Sequence, residues 1–147
     1  MNKQITIAPA LVSHRPAIVQ LLQSEKLPVE DLPGSLDHFF VAMDNESVVA
    51  AIGLERYGDG GLLRSLVVDN AYRNLQLASQ LIKQLETAAA AIGINNMYLL
   101  TETAPAYFEK KGYQKIAREE VPVALQASSE FSHVCPVSAI VMKKALL

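Results

Sequence analysis

The chain has 147 residues, half of them hydrophobic, with a net charge of −2 and an isoelectric point near 5.9. That length fits one domain, residues 1–147, with a core large enough to need no covalent staples. The slightly acidic balance offers no basic field to a nucleic-acid backbone, and no apolar run approaches the length of a membrane span, so both partner classes are set aside.

Residues 4–8 alternate and predict a short first strand. Ser13 reads as the N-cap of a helix, with Pro16 in its first turn and Ile18, Leu21 and Leu22 on its apolar face. Residues 27–36 hold two prolines and a glycine and predict a loop. Residues 38–43 and 48–57 predict strands joined by a polar turn at 44–47, and Gly58-Asp59-Gly60-Gly61 predicts a hairpin turn. Residues 62–68 follow as a nearly all-apolar, central strand interrupted by Arg64 and Ser65. Leu75, Ala78, Ile82, Leu85, Ala89 and Ile92 then recur at helical steps and predict a long helix that Gly93 stops. Residues 97–101 predict a strand, 105–111 a short helix ending at Gly112, and 113–118 and 138–143 the last two strands, with 121–136 irregular between them. The order β-α-β-β-β-α-β-α-β-β puts the chain in the α/β (α+β) class. Three antiparallel strands lead into a βαβ crossover, so the sheet is mixed, mostly antiparallel, and flanked by helices.

The buried strand feeds the long helix through Asp69-Asn70-Ala71-Tyr72-Arg73. Ligands of open α/β sheets bind at such carboxyl ends of strands. The helix start offers unpaired N–H groups and partial positive charge, and Arg73 adds a cation. Physics alone argues for an anion site there, with a surface arginine near a helix start as the equal alternative.

Leu66-Val67-Val68-Asp69-Asn70-Ala71-Tyr72-Arg73 resembles the approach to the coenzyme A loop in the GNAT N-acetyltransferase superfamily. Ala104-Pro105-Ala106-Tyr107-Phe108-Glu109-Lys110-Lys111-Gly112-Tyr113 resembles that superfamily's later helix with its Gly-aromatic end, and the element order matches over nearly the whole chain. Residues 61–68, 99–101 and 130–139 are further similar to the arsenic-resistance-associated members. The resemblance implies acetyl-coenzyme A (acetyl-CoA) as cosubstrate. Backbone groups of Leu66, Val67 and Val68 would pair with the pantetheine arm, one N–H polarising the thioester carbonyl and holding its oxyanion. Arg73 and the backbone of Asn74, Leu75, Gln76, Leu77, Ala78 and Ser79 would cradle the pyrophosphate.

Three positions depart from the superfamily pattern. Gln76 takes a glycine position and is expected in the first turn of the long helix, where glycine itself would cost about 0.5–1 kcal/mol. Phe108 stands where a tyrosine often protonates the leaving thiolate, and Thr101 where asparagine is common. A thiol with a pKa of about 8.5 leaves tolerably without an acid, whereas an alkylammonium near pKa ~10 must first lose a proton. Glu55 and Glu102 are the carboxylates placed to receive it, with a solvated or salt-bridged role as the bland alternative.

Arg64 needs a partner if buried; Glu55 on the neighbouring strand is favoured over an anionic acceptor. Cys135 is the one cysteine, cannot form an internal disulfide, fits a reducing, cytoplasmic compartment, and is read as a packed small hydrophobe. His14, His38 and His133 are too widely spaced for a metal pattern, so no metal is expected. The first ten residues carry one charge and no apolar stretch, and no signal peptide is read there. Mean hydropathy of +0.18 is on the apolar side for a soluble monomer and points to a subunit interface, a homodimer. The resulting expectation is an N-acetyltransferase acting on a small amine-bearing acceptor, with a role in metalloid or toxin resistance. The alternative is a GNAT-fold module that binds or assembles without acetyl transfer, motivated by Gln76 and Phe108.

Overall fold

The computed structural model describes residues 5–27, 29, 32, 36–73, 75–102, 104–126 and 139–146. Among the described residues seven strands form one sheet in the order β1-β2-β3-β4-β5-β7-β6. They are β1 (Ile5–Pro9), β2 (Phe39–Asp44), β3 (Ser47–Tyr57), β4 (Gly60–Val68), β5 (Asn96–Thr101), β6 (Gln114–Ile116) and β7 (Ile140–Ala145). The helices are α1 (Arg15–Ser24), α2 (Leu77–Ala91), α3 (Pro105–Lys110) and the four-residue α4 (Val123–Gln126). This is the expected mixed, mostly antiparallel architecture, with α4 added in a stretch expected to be irregular. Two compact units share the chain: Met1–Leu54 with Ser65–Leu85, and Glu55–Arg64 with Glu86–Leu147.

In the first unit β1, β2 and β3 are antiparallel neighbours, with Ile7 opposite Ala42 and Val41 opposite Ala51. Ile18, Leu21 and Leu22 of α1 pack with Leu36, Phe39, Val41, Ala51 and Val67 as one buried cluster. A Cβ on Gly53 would come within 2.4 Å of the Phe39 ring, so this strand position admits only glycine beneath the aromatic face. Ser13 does not cap α1. It lies in a 3-10 turn, Val12–His14, and the Nδ1 of His14 accepts from the Leu11 N–H at 2.9 Å. Pro16 does sit in the first turn of α1, where no N–H is needed.

In the second unit β4 and β5 run parallel, with Gly60 opposite Asn96, Gly61 opposite Met97 and Leu62 opposite Tyr98. The expected glycine turn is therefore shorter; Gly60 and Gly61 already belong to β4 and leave Gly58 and Asp59 to turn the chain. The ladder ends at Leu62, although β4 continues to Val68 and β5 to Thr101. Leu62, Tyr98, Val121, Leu125 and Val141 form this unit's buried cluster. Gly93, at φ +91°, closes α2 as expected: the Ile94 N–H reaches back to the Ala89 carbonyl at 3.0 Å.

Tyr113 is fully buried and donates its hydroxyl to Glu86 at 3.0 Å, and the same carboxylate accepts from Lys144 at 2.8 Å. Burial, then the Glu86 charge, then that hydrogen bond push the Tyr113 phenol well above its usual value of 10.0. The unfolded chain thus loses this proton before the folded chain does, so the Tyr113 contribution holds below pH ~10 and falls as pH rises beyond it. Urea unfolding of Tyr113→Phe is expected to show about 1 kcal/mol less stability at neutral pH and a shallower decline above pH ~10 than the parent protein. Parallel declines would remove Tyr113 as the cause.

Candidate functional site

β4 is apolar enough to be buried at five consecutive residues, Gly60 to Arg64, and then changes character. Ser65 has φ +57°, a left-handed residue inside a strand. Such a residue interrupts regular pairing and re-aims the side chains after it. Leu66 and Val68 are half-buried, and Val67 turns into the core cluster of the first unit. The polar interruption of the strand was visible in the sequence, but its left-handed backbone was not.

The segment after β4 is fastened within the first unit by three neighbours. The Asp69 N–H donates to the Val49 carbonyl at 2.8 Å, and the Asp69 side chain caps a 3-10 turn, Asn70–Tyr72, by accepting from the Ala71 N–H at 2.9 Å. The Tyr72 hydroxyl donates to Asp44 at 2.6 Å. That hydrogen bond, followed by burial, raises the Tyr72 phenol above its usual 10.0. Arg73 extends its guanidinium to the Glu25 carboxylate at the end of α1. Asp44 and Glu25 were not singled out in the sequence, since only folding brings them to a loop 28 and 48 residues away.

Gln76 decides how the loop is read. It has φ +59°, the left-handed region that glycine enters freely and glutamine enters at a cost. It precedes α2, and its carbonyl accepts the first helical hydrogen bond, from the Gln80 N–H at 3.1 Å. Gln76 is therefore the N-cap residue, not a first-turn residue, and its side chain is exposed. The backbone takes the path that a glycine would take, and the bulk lies outward. Leu77 and Ala78 follow as the first two helical residues, whose N–H groups have no acceptor within α2. The Leu77 side chain is buried, Ala78 and Ser79 are half-buried, and Leu75 is exposed. Asn74 lies outside the described residues.

The expected penalty for glycine at position 76 thus reverses. Gln76→Gly removes a left-handed glutamine worth about 1 kcal/mol of strain, partly offset by the freer unfolded chain. The melting temperature is expected to rise by about 1–4 °C in a thermal melt. A fall of several degrees would mean that the Gln76 side chain stabilises the loop.

The other expected residues lie in the second unit. Arg64 is 3% exposed and forms an ion pair with Glu55 Oε1, while the Tyr57 hydroxyl donates to Glu55 Oε2. Both oxygens of Glu55 are therefore engaged. Glu102 is exposed, in the bend after β5. Phe108 is buried in α3, edge-on to Tyr107 and Tyr113 at 5.4 and 5.9 Å between ring centroids. Thr101 accepts from the Ala104 N–H at 3.1 Å and so helps to start α3. Cys135 and His133 lie outside the described residues. Among the described residues no group of three or more His, Cys, Asp or Glu side chains is arranged to hold a metal ion, and no helix is long and apolar enough to cross a membrane.

The GNAT acetyltransferase domain model matches residues 35–115, a span that holds β2 to β5, the strapped loop, α2 and α3. The chain belongs to the GNAT acetyltransferase family. Among curated relatives, the GNAT chain is 27% identical over 97 residues to an amino-acid acetyltransferase of Pseudomonas fluorescens strain Pf0-1. That match covers 65% of this chain and 22% of the relative, so the chain spans about a fifth of the curated proteins it resembles. The N-acetylglutamate synthase of Neisseria gonorrhoeae, complexed with coenzyme A and N-acetyl-glutamate, superimposes with a TM-score of 0.85 at 15% identity, covering 100% of this chain and 36% of that one. A GNAT-family acetyltransferase of Staphylococcus aureus Mu50 superimposes with a TM-score of 0.77 at 21% identity, covering 98% of this chain and 100% of that one. At these identities the superpositions establish the GNAT fold.

Proposed function

We propose that residues 1–147 act as one acetyl-CoA-dependent N-acetyltransferase domain whose acceptor is the amine of a small amino acid. The observation that carries this reading is Gln76: a non-glycine residue held at φ +59° at the family's glycine position, immediately before the first turn of α2. When bound, acetyl-CoA supplies an acetyl thioester as the electrophile. The N–H groups of Leu77 and Ala78, the loop residues Asn74, Leu75, Gln76 and Ser79, and the Arg73 cation would hold its pyrophosphate. Backbone groups of Leu66, Val67 and Val68, beyond the end of the β4–β5 ladder, would pair with its pantetheine arm.

The acceptor class is supported by the relatives named amino-acid acetyltransferases. In the transfer a C–N bond forms, the C–S bond breaks, the ammonium gives up one proton before attack, and the nitrogen gives up a second to solvent as the amide forms. Glu55 and Glu102 are the proposed proton acceptors. Phe108 has no proton to donate, so the thiolate leaves unassisted, which a pKa of about 8.5 permits. The exposed side chain of Gln76 removes one of the two motives for a module without transfer. The narrower likeness to arsenic-resistance-associated proteins bears on the acceptor, and its segment 130–139 lies almost wholly outside the described residues. A cytoplasmic homodimer remains the companion proposal, supported by one cysteine and a mean hydropathy of +0.18, and sedimentation tests its oligomeric part.

Thiol release from acetyl-CoA, followed across the common amino acids, tests the reading. Release that depends on one or a few amino acids is expected. Release that no amino acid accelerates would transfer the proposal to another amine class.

A further inference from the structure

The loop between β4 and α2 has Arg73 as its one cation: from Asp69 to Gln80 the only other charged residue is Asp69 itself. That cation is not pointed at open solvent. It sits on the carboxylate of Glu25, and both partners are fixed by local structure. Glu25 is the C-cap of α1, held where the Lys26 and Leu27 N–H groups fold back onto the Gln23 and Leu22 carbonyls at 3.1 and 2.8 Å. Arg73 follows the 3-10 turn that Asp69 caps and Tyr72 pins to Asp44. Neither side chain reaches the other from a mobile tail; two built corners meet there.

We propose that Glu25 is an internal competitor for the pyrophosphate: its carboxylate occupies the Arg73 guanidinium that the ligand must recruit, so coenzyme binding exchanges one anion for another and frees the end of α1. This rests on the acetyl-CoA reading above. A guanidinium binds a carboxylate and a phosphate through the same planar donor fork, and two anions cannot use one edge of it together. The pair is half-exposed, with side chains 48% and 32% accessible, so the carboxylate can be displaced without unfolding the corner. The same exposure limits the effect, because pairs of this kind are weak. The consequence is a lower affinity than the loop could reach, and coupling between the ligand and the carboxyl end of α1, which leads into residues 27–36.

Calorimetric titration with acetyl-CoA of the full chain, Glu25→Gln, Arg73→Gln and the double variant tests this. Glu25→Gln is expected to bind about 2–5-fold tighter than the parent, and its melting temperature to stay within a few degrees. Arg73→Gln should weaken binding about threefold in the parent but about tenfold in the Glu25→Gln background, because only there is the guanidinium fully available. Equal or weaker binding by Glu25→Gln, with a binding parent, would mean that Glu25 orients Arg73 for the ligand and would overturn the competition while leaving the acetyl-CoA reading intact. No binding by the parent or any variant would overturn both.

Discussion

Ala78→Glu is expected to stabilise the protein slightly and to weaken acetyl-CoA binding by about 100-fold or more. The two signs have one cause. Ala78 is the second residue of α2, where the helix dipole places partial positive charge. A carboxylate there gains about 0.3–1 kcal/mol from the helix dipole, or roughly 1–3 °C in melting temperature for a chain of this size. The same carboxylate would face the pyrophosphate. At about 5 Å and an effective dielectric near 20, like charges repel by about 3 kcal/mol, which is on the order of 100-fold in dissociation constant. Ala78→Gln separates bulk from charge and is expected to cost no more than about tenfold. A thermal melt and a calorimetric titration read the two effects independently. If Ala78→Glu bound the ligand as tightly as Ala78→Gln, the pyrophosphate would not sit at this helix start.

Glu55→Ala is expected to lower stability by about 3 kcal/mol, a fall of roughly 6–12 °C in melting temperature. Arg64 is the buried charged side chain among the described residues, and removing Glu55 strips the carboxylate from a guanidinium with 1% of its side chain accessible. The Tyr57 hydroxyl loses its acceptor as well. The figure is at the low end for a broken buried pair because Glu55 itself is 21% accessible and water reaches that side. Arg64→Met should cost far less, since methionine fills the same apolar strand position and Glu55 can turn to solvent. Differential scanning calorimetry of both variants checks the contrast. Equal losses would show that the Arg64 stem, and not its charge, is what the strand requires.

Much of the architecture was legible in the sequence because its signals are local. Four of the six apolar positions expected for α2 (Ala78, Ile82, Leu85 and Ala89), its stop at Gly93, the apolar run of β4 and the polar turn at 44–47 each act within one element, and the observed bounds differ by no more than two residues; Leu75 and Ile92 fall outside α2, and Leu77 and Leu81 are buried on it instead. The misplacements have one local and one distant cause. Ser13 looked like an N-cap, but Leu11 and His14 close a 3-10 turn around it first. Gly60 and Gly61 looked like turn residues, but they are paired with β5, and a partner strand far along the chain is not visible in a glycine run.

The candidate site was legible as a strand, a loop and a helix start. It was not legible as a geometry. A sequence pattern could say that Gln76 replaces a glycine, and it then placed the residue in the first turn of the helix. Only the dihedral shows that the glutamine adopts the glycine's conformation and sends its side chain outward. The same holds for Arg73, whose partner Glu25 lies 48 residues earlier, and for Ser65, whose left-handed backbone carries no residue-type signal. The favoured Arg64–Glu55 pairing could be anticipated because a hairpin turn places β3 beside β4 and a buried guanidinium demands a carboxylate.

The central claim is that the loop from Arg73 to Ser79 binds the pyrophosphate of acetyl-CoA. Calorimetric titration of the unmodified chain with acetyl-CoA, beside Gln76→Gly at the same ionic strength, tests it most directly. The account predicts one site with a dissociation constant on the order of 10 μM, and binding by Gln76→Gly that is at least as tight. An absence of heat from both proteins at roughly millimolar ligand would contradict it.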